Sequence, residues 1–140
     1  MKRFLSVVTL GALLSTGAMA GENKGLNVVL TANDAQTQMM AMVLSMATLS
    51  QKKAVNMTLC STAGDLAVKG KKSTVLKPKN KSPKMLLQAI LKKGAKVEVC
   101  PLYLPNAGLD ESVLIKGITV AKPGLVAKKL LDSEFTTLSY

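Results

Sequence analysis

The chain has no histidine and no tryptophan, and its 140 residues include only two tyrosines, two phenylalanines and two cysteines. Without histidine, a Ser-His-Asp triad, a Cys-His pair and a histidine-based metal site are all excluded. The aromatic residues are too few for the stacking surfaces that bind single-stranded nucleic acids. The only arginine is Arg3, so the rest of the chain lacks the residue that most often reads base edges. We predict no nucleic-acid partner and no metal, and no motif predicts a cofactor.

The sequence also lacks an apolar run long enough to span a membrane, which takes about 20 residues. The longest candidate, residues 4–14, follows two basic residues and precedes an Ala-x-Ala pattern that ends at Ala20. These are the three parts of a secretory signal peptide. We therefore predict a signal peptide over residues 1–20 with cleavage near Ala20. Residues 21–140 then form a single domain, periplasmic or secreted, with no membrane anchor.

Acidic residues are scarce, with 8 Asp and Glu against 19 Lys and Arg. Loss of Lys2 and Arg3 with the signal peptide would leave 17 lysines against 8 acidic residues, a formal charge of +9. Such a surface attracts anions and acidic partners through its long-range field. Many of the lysines fall in residues 69–84, where two prolines and few apolar residues predict a mobile surface loop.

Short apolar segments alternate with helical patterns along the rest of the chain. Strands are predicted at residues 26–31, 54–60, 96–100, 118–121 and 135–138. Helices are predicted at residues 34–52, with Asp34 as the cap, from Ser82-Pro83 to residue 93, at 109–116 and at 123–131. This alternation predicts an α/β fold: a mostly parallel sheet of about five strands between helices on both faces, a three-layer α/β/α architecture with flavodoxin-like topology.

Each cysteine closes a predicted strand, Cys60 the second and Cys100 the third. Open parallel sheets bind their ligands outside the carboxyl ends of the strands, so we expect both thiols at the functional edge. The reactive form is the thiolate, which needs nearby amides or cations, and the lysines of residues 69–84 are candidates for that role. The alternative for Cys100 is a small buried hydrophobic residue.

Whether the two cysteines can form a disulfide depends on the order of the strands. In a sheet of order 2-1-3, the first strand separates the other two and the cysteines lie ~10 Å apart, twice the strand spacing. A disulfide needs Cα atoms ~4.4–6.8 Å apart. If the second and third strands were neighbours, a disulfide would form easily. We favour the 2-1-3 order, with loop movement as a route to a redox pair.

Residues 94–112, GAKVEVCPLYLPNAGLDES, resemble the DsrE/DsrF-like family, which includes sulfur-relay subunits of the TusD type. The matching features are Gly94 before a strand, Cys100 at its end, and Gly108 followed by Asp110 and Glu111 after a loop. The resemblance implies that Cys100 is the catalytic residue and holds sulfane sulfur as a persulfide. It also implies a carrier more than an enzyme with true turnover, a homo-oligomer, and a protein thiol or persulfide as partner.

The chain departs from that family in two respects. The relay members act in the cytoplasm, whereas this sequence begins with a predicted export signal, and Cys60 matches no active residue of the family. Cys60 is therefore a second thiol candidate. Two other functions stay open: a non-catalytic binding module for an anionic ligand or acidic partner, and a thiol–disulfide protein that uses Cys60 and Cys100. Met39, Met46 and Met57 are predicted to fill the core rather than to bind copper.

Overall fold

The structure, a computed structural model, describes residues 23–140. The predicted signal peptide lies outside these residues. The strands are β1 (Gly25–Leu30), β2 (Ala54–Leu59), β3 (Lys96–Val99), β4 (Ile118–Val120) and β5 (Phe135–Ser139). The α-helices are α1 (Ala35–Ser50), α2 (Pro83–Lys92), α3 (Tyr103–Asn106) and α4 (Pro123–Leu130), and two 3₁₀ helices lie at Ser61–Ala67 and Glu111–Val113.

The five strands form one parallel sheet in the order β4-β3-β2-β1-β5. This confirms the predicted α/β fold with a five-stranded parallel sheet. The favoured 2-1-3 order is wrong, however, because β2 pairs directly with β3, with Leu59 opposite Val99. When successive right-handed crossovers each add the next strand on the same side of the preceding one, their helices lie on the same face of the sheet. Helices α1 and α2 accordingly pack against each other, and their mutual contact favours this order.

The face of the sheet beneath α1 and α2 is apolar and forms the core. Alternate residues of the central strands lie on it, among them Val28, Met57 and Val99, all fully buried. Met57 therefore fills the core as predicted. The predicted caps also form: the Asp34 carboxylate accepts from the Thr37 N–H at 2.8 Å, and the Ser82 hydroxyl caps α2.

The opposite face of the sheet is polar and meets α4. The Asn27 side chain donates to the backbone carbonyl of Lys129, and Lys129 Nζ pairs with the Glu98 carboxylate at 2.5 Å. Side chains alternate between faces along a strand, so Cys60 and Cys100, placed two residues after Thr58 and Glu98, continue this polar face. No residue of α4 is fully buried, so the face that carries both thiols is the less covered one.

Met39 and Met46, which were predicted to fill the core, do not lie on the fully buried face of α1. The fully buried residues of the helix are Gln38, Ala41, Met42 and Ser45. Met39 and Met46 are only half-buried. Apolar residues surround almost the whole circumference of α1, so their spacing alone does not select the face that packs on the sheet.

Two connections also differ from the sequence predictions. Residues 109–116 were predicted to be a helix, but only the 3₁₀ turn Glu111–Val113 forms there, because the chain extends at Leu114 to make an antiparallel bridge with Val68. Residues 69–81 lie at the surface or are partly buried, whereas Ser82 and Pro83 are buried where α2 begins. Within residues 23–140, no helix combines the length and apolar character that a membrane span requires.

Candidate functional site

Cys60 and Cys100 lie opposite each other at the carboxyl edge of the sheet. They directly follow Leu59 and Val99, the last paired residues of β2 and β3. The hydrogen-bond ladder continues through both, since the Cys60 N–H donates to the Leu30 carbonyl and the Cys100 N–H to the Leu59 carbonyl, each at 2.8 Å. Neighbouring strands are ~4.8 Å apart, a separation within the ~4.4–6.8 Å Cα range of a disulfide. The predicted separation of ~10 Å is wrong because the strand order on which it depended is wrong.

Both cysteines are free thiols, and both are half-buried. Burial, then the charge of Cys100 and a side-chain hydrogen bond to it, raise the pKa of Cys60 to about 11. At neutral pH, the Cys60 thiol is therefore protonated, with the Cys100 side chain beside it.

The chain turns sharply immediately after Cys60. Ser61 has φ 51°, a left-handed conformation that costs a non-glycine residue roughly 1–2 kcal/mol. The turn opens the 3₁₀ helix Ser61–Ala67. This helix carries Gly64 and Asp65 toward the loop that follows Cys100.

Tyr103 joins the loop after Cys100 to the 3₁₀ helix after Cys60. Its N–H donates to the Cys100 carbonyl at 2.9 Å, and its phenol donates to the Asp65 carboxylate at 2.5 Å. Burial and then Asp65 raise the pKa of Tyr103 far above its ordinary value, so the phenol remains a donor. The ring lies against Gly64, where an added Cβ would come within 2.4 Å of a ring carbon. We call Gly64, Asp65 and Tyr103 the tyrosine clamp.

The tyrosine clamp was not predicted from the sequence. The available signal was Tyr103 itself, one of the few aromatic residues in the chain, three positions after Cys100. A buried tyrosine needs a partner for its hydroxyl, and Asp65 lies in the segment just beyond the other cysteine, Cys60. Neither observation identifies Gly64 without the strand order.

The lysines of residues 69–84 were predicted as candidates to stabilise a thiolate, but the contacts of three of them are with other groups. Lys71 pairs with Asp65 at 2.7 Å, Lys84 Nζ donates to the Val68 carbonyl at 2.6 Å, and Lys69 Nζ donates to the Ser112 carbonyl at 2.9 Å. No lysine is among the groups that shift the pKa of Cys60. The contacts of the described chain therefore give no support to lysine activation of a thiolate.

The thiol pair and the methionines lie on different faces of the sheet. Met57 is buried in the core, whereas Met39 and Met46 border a surface cleft beside α1. Among residues 23–140, no three cysteine, aspartate or glutamate side chains come together as a metal site would require. The groups assembled around Cys60 and Cys100 are thus a second thiol, a phenol and a carboxylate.

A second feature is the surface cleft between α1 and the segment around Lys77–Pro78, with a volume of about 680 Å³. Its volume falls within the ~300–1,000 Å³ range of small-molecule sites, which are mostly apolar with a few polar groups. We call it the methionine cleft. Its apolar lining consists chiefly of Met39, Met40, Val43, Met46, Leu76 and Leu86, and its basic lining of Lys77, Lys79 and Lys81.

The five-stranded parallel sheet and its flanking helices define an α/β protein, and its neighbours among solved structures share this DsrE-like fold. Among solved structures, the ychN protein from E. coli is similar with a TM-score of 0.67 and 19% identity, over 84% of this chain and 99% of that chain. MTH1491 from Methanobacterium thermoautotrophicum is similar with a TM-score of 0.63 and 10% identity, over 83% of this chain and 98% of that chain. BT1422 from Bacteroides thetaiotaomicron is similar with a TM-score of 0.57 and 22% identity, over 84% of this chain and 96% of that chain.

The likeness to these structures is one of fold. MTH1491 and BT1422 are each described as a protein of unknown function, and the identities are too low to carry a function to this chain. No model of a known protein family matches the sequence, and no curated protein matches it. The function must therefore be inferred from the thiol pair and its surroundings.

Proposed function

We propose that the protein is an exported carrier of sulfane sulfur, which it holds as a persulfide on Cys100. The observation that carries the proposal is the placement of Cys60 and Cys100 side by side at the carboxyl edge of the sheet, with the protonated Cys60 thiol next to Cys100. A hydrogen bond donated to a sulfur anion stabilises it, whether the anion is a thiolate or a persulfide. The resemblance of residues 94–112 to sulfur-relay proteins supports the same assignment.

Loading is a simple exchange. The Cys100 thiolate attacks the outer, sulfane sulfur of a low-molecular-weight persulfide, a new bond forms between that sulfur and Cys100, and the donor leaves as a thiolate. No oxidant or reductant is consumed. The same step with the thiol of a partner protein unloads the carrier. The basic surface, with a formal charge of +11 over the full chain, attracts anionic donors such as glutathione persulfide.

Cys100→Ser is expected to abolish loading. After treatment with glutathione persulfide and rapid desalting, the wild-type protein should gain the mass of one sulfur atom by intact mass spectrometry, and Cys100→Ser should gain none. Cys60→Ser is the matched control, because it makes the same atomic change across the strand pair and its hydroxyl can still donate to Cys100. The proposal is wrong if Cys100→Ser loads as fully as the wild type, or if Cys60 proves to be the loaded residue.

The methionine cleft favours a second candidate function, the binding of a single-chain anionic amphiphile such as a long-chain fatty acid. Flexible methionine side chains adapt to an alkyl chain, and Lys77, Lys79 and Lys81 at the same cleft suit a carboxylate head group. A second copy of this chain is a poor occupant, because it would bring a surface of the same positive sign. This binding requires no chemistry at the cysteines.

Met40→Glu is expected to weaken binding of a dansyl-labelled fatty acid at least about tenfold. Met40 lines the cleft and is 51% exposed, so the substitution places a negative charge beside the ligand without disturbing the core. Leu44→Glu is the control, since Leu44 is an exposed residue of the same helix outside the cleft lining. Displacement of the probe by palmitate, with no displacement by dodecylamine, would support the assignment. Equal binding by Met40→Glu and the wild type would exclude the cleft.

A further inference from the structure

We infer that Cys60 is a resolving thiol, which attacks the Cys100 persulfide and releases its sulfur as hydrogen sulfide. This inference rests on the proposed persulfide at Cys100. It gives the carrier a second outcome, because the bound sulfur is either passed intact to a partner thiol or reduced inside the protein. The observations that support it are the pairing of β2 with β3 up to Leu59 and Val99, immediately before the two cysteines, the continuation of the hydrogen-bond ladder through the Cys100 N–H and the half-burial of both cysteines.

The step balances without an external redox partner. The Cys60 sulfur, as a thiolate, attacks the inner sulfur of the persulfide, the one bonded to Cβ of Cys100. A Cys60–Cys100 disulfide forms, the bond from Cys100 to the outer sulfur breaks, and the outer sulfur leaves as HS⁻, which takes up the proton lost by Cys60. Two cysteine sulfurs are oxidised to a disulfide, and one sulfane sulfur is reduced to sulfide. A dithiol reductant, as a separate co-reactant, returns both cysteines to thiols.

The geometry already suits the product of this step. Parallel pairing holds the two Cα atoms ~4.8 Å apart, so the disulfide can close without a change of strand position. The tyrosine clamp fixes the segments that follow the two cysteines, since Tyr103 is bonded to both the Cys100 carbonyl and Asp65. A nucleophile held in place in this way reacts with a high effective concentration.

The rate of sulfide release depends on the protonation of Cys60, because only the Cys60 thiolate attacks the persulfide. With its pKa raised to about 11 by burial and then by Cys100, roughly one molecule in 10⁴ carries the Cys60 thiolate at pH 7. Cys100 is the titratable group in direct contact with it. Of the charged groups nearby, Asp65 is paired with Lys71 in the clamp region, and Glu98 is paired with Lys129 lower on the same sheet face. Slow attack at neutral pH gives a partner thiol time to collect the sulfur first.

The test follows sulfide after loading. Wild-type protein and Cys60→Ser are loaded with glutathione persulfide, desalted and incubated without reductant, while sulfide is trapped with monobromobimane. The wild type is expected to release one sulfide for each Cys60–Cys100 disulfide found by peptide mapping, about tenfold faster for each unit of pH between 7 and 9. Cys60→Ser is expected to retain its sulfur, with release at least about 100-fold slower at pH 9.

Failure of the resolving role is distinguishable from failure of the carrier. A wild-type protein that loads but keeps its sulfur, or that releases sulfide without forming the disulfide, overturns the role of Cys60 and leaves the carrier intact. A wild-type protein that never loads overturns both. Because the ratio of sulfide to disulfide is measured on the wild type, the outcome does not depend on how well Cys60→Ser folds. Equal release from Cys60→Ser would also overturn the inference.

Discussion

Oxidation of the reduced protein with diamide is expected to close a disulfide between Cys60 and Cys100 and to raise the free energy of unfolding by about 4 kcal/mol. The two cysteines are 40 positions apart in the sequence. A cross-link over a segment of this length removes loop-closure entropy from the unfolded chain, by an amount between the ~3 kcal/mol of a 15-residue loop and the ~4.7 kcal/mol of a 100-residue loop. Little native strain offsets this gain, because the strand register already aligns the two residues.

Urea unfolding of the reduced and oxidised forms measures the effect. The oxidised form should unfold at a midpoint roughly 2–3 M higher, and titration of the denatured protein should find no free thiol. Cys60→Ser treated with the same oxidant should keep the midpoint of its untreated form. Oxidation that yields disulfide-linked dimers in place of an internal bridge would contradict the prediction, as would equal midpoints for the two wild-type forms.

The position of each cysteine along its strand was predictable from local sequence, but their contact was not. A short apolar segment that ends in Cys60 or Cys100 indicates the end of a buried strand, and the structure confirms both strand ends within one residue. Strand order, in contrast, depends on which crossover helices pack together. The burial of Leu87 and Ile90 of α2 in the core, beside α1, is a long-range property that no local pattern contains.

The tyrosine clamp and the methionine cleft escaped prediction for related reasons. Gly64 and Tyr103 lie in connections that the sequence marks only as turn and loop, and their contact exists because β2 and β3 are neighbours. In α1, the small residues Ala41 and Ser45 allow the helix to approach the sheet closely, whereas Met39 and Met40 are left for the cleft. A helix that is apolar on several sides has no unique inward face by periodicity.

The thiol pair differs from the arrangement that the family resemblance alone implies. The resemblance assigns a role to Cys100 and none to Cys60, yet the register makes the two residues equivalent neighbours. Cys60 has a raised pKa, caused first by burial and then by Cys100. One sulfur is thus suited to accept cargo and the other to remain protonated until the cargo is released.

Gly64→Ala is expected to lower the free energy of unfolding by about 3 kcal/mol. The new methyl group would lie 2.4 Å from a ring carbon of Tyr103, a contact that forces the ring to move. Overpacking of this kind costs ~1–3 kcal/mol, and displacement of the ring also breaks the phenol hydrogen bond to the charged Asp65, worth ~1.5–3 kcal/mol. Tyr103 joins the segments that follow the two cysteines, so the same variant should form the Cys60–Cys100 disulfide more slowly.

Urea unfolding of Gly64→Ala and of two comparison variants separates the clamp from a general glycine effect. Gly124→Ala, within α4, has no neighbouring atom within 4 Å of the added Cβ and should leave stability unchanged or raised by up to ~1 kcal/mol. In a Tyr103→Leu background, where the ring is absent, Gly64→Ala should lower the free energy of unfolding by less than about half as much as in the wild type. The reason is that the effects of substitutions at residues in contact are not additive. If Gly64→Ala lowers the free energy of unfolding as much in that background as in the wild type, the ring contact does not explain the need for glycine at this position.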